Sequence, residues 1–168
     1  MRQLVLAVAL LSLLSGVPAL AATNSAKADE TVRSADPAIA RQLDGLGYKY
    51  EVDEDGDYKL TFDMEDNGRS QLAYVISSVE KFGELRVREI WAPAYRAEDS
   101  EFPADVANRL LADSHSSKLG GWVKQGNMAV FVVKVPADAP ASQLEDAIDF
   151  VLRSADSMEK ELTGEDEF

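Results

Sequence analysis

The apolar positions change period along the chain, and each change marks an element. After Asp36-Pro37, Ile39, Leu43 and Leu46 repeat at helical spacing until Gly45 and Gly47 end the run. Asp is a favoured N-cap and Pro a favoured first helical residue, so the pattern predicts a short helix. From Tyr48 the period falls to two. Tyr48, Tyr50 and Val52 alternate with Lys49 and Glu51, and Tyr58, Leu60 and Phe62 alternate with Lys59, Thr61 and Asp63. Asp53-Glu54-Asp55-Gly56-Asp57 and Asp66-Asn67-Gly68 have turn composition. Leu72 to Ile76 is nearly continuous and reads as a more buried strand. The pattern predicts a three-strand antiparallel meander with one covered face. A further extended piece runs from Leu85 to Trp91. Glu89 falls there on the parity of Leu85, Val87 and Trp91, which a bulge or an exposed strand end would explain.

Phe102-Pro103 opens a second helix with Val106, Leu110 and Leu111 on one face. Gly120-Gly121, a short strand Trp122–Lys124 and a two-residue turn Gly126-Asn127 follow. Met128 to Val135 is apolar on both faces until Lys134, as a central strand would be. After Pro140 the longest stripe begins: Leu144, Ala147, Ile148, Val151, Leu152, Ala155, Met158 and Leu162 recur at helical spacing. Phe150 lies outside that stripe, about 60° beyond its edge at ~100° per residue. The predicted order is α-β-β-β-(β)-α-β-β-α, an α+β domain whose antiparallel sheet is flanked by helices.

The N-terminal segment is of another kind. Arg2 precedes an apolar run from Leu4 to Leu14, then Gly16 and Pro18, then Ala19-Leu20-Ala21. This is the pattern of a secretory signal peptide over residues 1–21, and the run is too short for a bilayer that needs ~20 residues. Residues 22–34 are polar without a period and read as a flexible linker, residues 35–163 as the domain, and residues 164–168 as an acidic tail. A periplasmic or secreted location follows from this reading, with no membrane insertion after cleavage.

Composition narrows the chemistry. The chain has 168 residues, a length suited to one domain, and no cysteine, which removes disulfides and thiolate sites. Its net charge is −13; loss of residues 1–21 would leave 16 basic against 30 acidic residues, or −14. Nucleic-acid binding needs basic density and is not expected. With His115 the only histidine, a multi-histidine metal site is excluded, and its place at the polar end of the second helix suits a solvated residue near the helix dipole. Ser-x-x-Lys occurs at Ser78–Lys81 and Ser157–Lys160 without companion motifs. The turn Asp53–Asp57 resembles the start of a calcium loop, but Gly is fourth and Met64 stands twelfth, so a hairpin turn is the expected reading. No cofactor, metal or catalytic residue is expected.

What remains is surface. Arg86, Arg88 and Arg96, with Trp91 and Tyr95 among them, form the one basic and aromatic stretch of an acidic chain. Trp and Arg are favoured interface anchors, so Arg86, Arg88, Trp91 and Phe150 are the candidate partner-surface residues. In the competing reading Trp91 is core and the arginines pair with nearby acids.

The segments Leu46-Gly47-Tyr48-Lys49-Tyr50, Asp53 to Leu60 and Asn67-Gly68-Arg69-Ser70-Gln71, with the late strand pair before a long helix, resemble the YbjN-like family, of the type III secretion chaperone-like fold. The resemblance spans about residues 36–162. It implies a non-catalytic domain that binds a polypeptide or regulates, and members of that fold are often dimers, so a homodimer is admitted. The chaperones best known in this fold are cytosolic, whereas this chain carries an export pattern, and fold alone does not set function. The alternatives are a small envelope hydrolase and a calcium-binding module.

Overall fold

A computed structural model describes residues 34–64 and 68–168. The expected signal peptide, nearly all of the expected linker, and Asp66 and Asn67 of the second turn lie outside the described residues. The elements are α1 (Pro37–Leu46), β1 (Glu51–Val52), β2 (Tyr58–Asp63), β3 (Ser70–Val75), β4 (Glu80–Phe82), β5 (Leu85–Arg96), α2 (Ala104–Ser116), β6 (Gly121–Gln125), β7 (Met128–Pro136) and α3 (Ala141–Leu162). The fold is α+β: a seven-stranded antiparallel sheet in the order β1-β2-β3-β5-β7-β6, with β4 paired to β5.

Local chemistry sets the helix ends. The Asp36 carboxylate accepts the Ala38 N–H at 2.9 Å, and Pro37 takes the first helical position. Gly47 closes α1 at φ 76°, which lets Gly47 and Tyr48 donate back to Asp44 and Leu43. At the far edge of the sheet, Ser114 of α2 accepts the Trp122 N–H of β6 at 2.8 Å. Part of the edge that strand addition would use is therefore engaged.

One sheet face is covered by helices. Leu60, Ala73, Val75, Ile90, Ala92, Phe131 and Val133 meet Leu144, Ile148, Val151 and Ala155 of α3, with Ile39 and Leu43 of α1. The expected α3 stripe is buried from Leu144 to Met158, with Leu162 half-buried, and it also carries Glu159, which is fully buried. On α2 only Leu110 is buried; Leu111, expected on the same face, is exposed. The meander forms, but its first strand is reduced to Glu51–Val52.

β5 corrects the sequence reading most. Its register with β7 runs unbroken from Val87↔Pro136 to Pro93↔Val130, and the bulge falls between Pro93 and Tyr95 rather than at Glu89. The residues buried on the helix side are Arg88, Ile90, Ala92 and Ala94. Leu85, Val87, Glu89 and Trp91 share the opposite parity, so Glu89 interrupts no core stripe. The bulge leaves the Pro93 carbonyl inside the domain, where the buried Gln71 amide donates to it at 2.8 Å.

Candidate polypeptide-binding face

The second face of the sheet has no layer of described helices over it. Antiparallel register puts alternate residues of three strands there: Leu72 and Tyr74 of β3, Trp91 and Pro93 of β5, Met128 and Val130 of β7. With Ile76 they line a groove of about 400 Å³. Leu72, Tyr74, Trp91 and Met128 are half-buried, so each keeps apolar surface in reach of a ligand. The Trp91 indole donates to Glu89 at 2.8 Å, and Glu89 also pairs with Lys134 at 2.8 Å. The ring is thus fixed in orientation, as a preorganised contact should be.

Charges stand at the ends of the groove. Asp53, Asp55 and Asp57 line one end, and Arg96, Glu167 and Phe168 the other. The acidic turn is occupied with its own backbone. The Asp53 carboxylate accepts the N–H groups of Asp55 and Asp57 at 3.0 and 2.9 Å, and the buried Asp57 accepts the Ser77 N–H at 2.7 Å. Such Asx contacts hold a hairpin turn without an ion. Among the described residues, no three His, Asp or Glu side chains are grouped to hold a metal ion. His115 is exposed in the last turn of α2.

Segment 164–168, read as a tail outside the domain, is docked on it. The buried Glu159 carboxylate accepts the N–H groups of Glu167 and Phe168 at 2.7 and 3.2 Å. Arg69 binds Asp156 at 2.7 Å, Glu159 at 2.9 Å and the Glu165 carbonyl at 2.6 Å. Arg96 pairs with Glu167 at 2.6 Å and lies 5.4 Å from the Phe168 ring centroid, a cation–π distance. Phe168 is buried. Burial pushes the Glu159 carboxyl above the usual carboxylate range, while the two N–H groups and Arg69 pull against it.

The four residues proposed from sequence do not form one site. Trp91 lies in the groove. Arg88 is withdrawn from any surface: it is 5% exposed, binds Asp36 at 2.5 Å and donates to the carbonyls of Ile76 and Ser77 at 2.8 and 3.1 Å. Arg88 and Trp91 have opposite parity on β5, so the two candidates stand on opposite faces of the sheet. Arg86 is exposed and lines a separate hollow with Leu85, Val135 and Pro136. Phe150 is a margin contact that packs on the core, its ring 5.9 Å from Phe131. Phe150→Ala is therefore expected to cost about 2 kcal/mol in urea unfolding, below a fully buried Phe, and to leave ligand binding at the groove unchanged.

Leu72, Tyr74, Met128 and Phe168 were not singled out in advance. For the first three the signal was present: β3 and β7 are apolar on both faces, more than one helix layer can cover. No helix among the described residues is long and apolar enough to cross a membrane. Compared with known proteins, the chain matches no family model and no curated protein.

Proposed function

We propose that this is an exported, non-catalytic binding protein that takes an apolar stretch of a polypeptide partner on the open face of its sheet. One observation carries the reading: a groove of about 400 Å³ whose floor comes from three adjacent strands and whose aromatic wall, Trp91, is held by Glu89. Apolar grooves with a few fixed polar groups and charged rims are general features of ligand sites. Acids at one end and Arg96 at the other favour an extended ligand with charges of opposite sign at its two ends. The YbjN-like resemblance belongs to this proposal, since it implies a non-catalytic domain that binds a polypeptide. Export with cleavage after Ala21 belongs to it as well; N-terminal sequencing of protein from its host should begin at Ala22, and an intact Met1 on the fractionated protein would contradict it.

The test is selection from a random-peptide library on the immobilised full chain. Peptides rich in apolar and aromatic residues should emerge, and Trp91→Ser should weaken them about tenfold or more. Failure to select above bare support, or binding by the Trp91→Ser and Leu72→Ser variants equal to that of the parent chain, would overturn the reading.

A further inference from the structure

The end of the groove near Arg96 is lined by a docked piece of polypeptide, Glu167 and Phe168 of segment 164–168. Three features of the chain hold it, and each reads a different part of a peptide. Glu159 reads backbone: its Oε1 accepts two successive N–H groups, those of Glu167 and Phe168, whatever side chains they carry. Arg96 reads an acidic side chain through its 2.6 Å contact with Glu167. The Arg96 guanidinium, 5.4 Å from the ring centroid, reads an aromatic ring, here the buried Phe168, which lines the groove along with Pro93 and Met128. Further contacts are those of Arg69 with the Glu165 carbonyl, of the Ser70 N–H with Asp166 at 3.2 Å and of the Glu165 N–H with the Thr163 hydroxyl at 3.0 Å.

We propose that this end of the groove is a recognition site for an acidic residue followed by an aromatic one in a partner polypeptide, and that Glu167-Phe168 is the resident competitor. The inference rests on the open-face reading, because Pro93, Arg96 and Met128 line the same groove. The resident segment is suited to exchange. It carries one large apolar anchor, Phe168. The Arg96–Glu167 pair is half exposed, with side chains 47% and 45% accessible, and exposed pairs hold weakly. The acceptor side is built independently of it: Arg69 stays paired with Asp156 and Glu159 when the segment leaves, and Glu159 belongs to α3. A partner that supplies the same acid–aromatic pair, with further apolar residues for the Leu72–Tyr74–Trp91 floor, would displace the segment and gain contacts it does not make.

The probe is a fluorescein-labelled peptide with blocked ends carrying Thr-Gly-Glu-Asp-Glu-Phe, read by anisotropy against the full chain and its variants. Phe168→Gly, which removes the resident ring, is expected to bind the probe about tenfold more tightly than the parent chain, as removal of a resident competitor should. Glu167→Lys, repelled from Arg96, should do the same and guards against a folding defect in one variant. Adding Arg96→Ala to either variant, or replacing Phe by Ala in the probe, should abolish the gain. Equal binding by parent and vacated variants, gain that survives Arg96→Ala, or no binding by folded vacated variants would each overturn the inference. If the library-selected peptides still depend on Trp91 in that case, this inference fails alone. If they do not, the open-face reading fails with it.

Discussion

Arg88→Ala should lower the unfolding free energy by ~3–4 kcal/mol in urea titration, the lower part of the range for breaking a buried ion pair, because Asp36 keeps some solvent contact. Three groups lose the Arg88 guanidinium together: the Asp36 carboxylate, which keeps the Ala38 N–H, and the carbonyls of Ile76 and Ser77. Arg88 thereby ties the start of α1 to the end of β3, and Ser77 adds a second tie by accepting the Asp36 N–H at 3.1 Å. Arg88→Lys should recover only part of the loss, since an ammonium cannot reproduce the fork. The pair also carries a pH signature. Burial pushes the Asp36 carboxyl up, but the Ala38 N–H and Arg88 outweigh it and hold the group below its ordinary value of 3.8. A carboxyl lowered in the fold contributes stability above its unfolded value and loses it as pH falls through the folded one. The stability gap between the parent chain and Asp36→Asn should therefore be full at neutral pH and close as pH falls through the ordinary carboxylate range and then through the lowered folded value. A gap that stayed constant would show that Asp36 contributes through packing rather than charge.

Glu159→Ala should cost ~3–5 kcal/mol, the full range for removing one partner of a buried pair. Glu159 is 0% exposed and Arg69 is left facing the space it vacates, with Asp156 as its remaining carboxylate. Two backbone N–H groups lose their acceptor as well. The variant should also release segment 164–168, so limited proteolysis should cut after residue 163 in the variant before it cuts the parent chain. Glu159→Gln keeps one acceptor oxygen for those N–H groups and should fall between the two. Destabilisation with an unchanged proteolysis pattern would mean that the contacts of Arg69, Ser70 and Arg96 hold the segment without Glu159.

The helices and most strands were legible in the sequence because each carries a consistent local signal. The N-cap Asp36, the period of α3 and the turn glycines agree with the fold into which they are built. β5 was misread for a specific reason. A buried arginine on the core face looks like a polar, outward position, so Leu85, Val87 and Trp91 set the apparent apolar parity, and Glu89 then looks like an interruption. The burial of Arg88 depends on Asp36, 52 residues away in sequence, which no local period can reveal. The docked tail was missed for the same kind of reason. Gly164-Glu165-Asp166-Glu167-Phe168 has the composition of a solvated segment, and its binding to Glu159, Arg69 and Arg96 is tertiary. The groove is half legible: Met128 to Val135 reads as apolar on both faces and Leu72 to Ile76 as nearly continuous, but local pattern does not show which strands lie side by side to join those second faces.

The most direct test of the open-face account is to follow backbone amide and indole resonances of the ¹⁵N-labelled full chain while a library-selected peptide is added. The account predicts that shifts concentrate on Leu72, Tyr74, Trp91 and Met128, with the Trp91 indole N–H among those that move most. Shifts confined to α2 or to the hairpin of β4 and β5, with the amides of Leu72, Tyr74 and Trp91 unmoved, would contradict it.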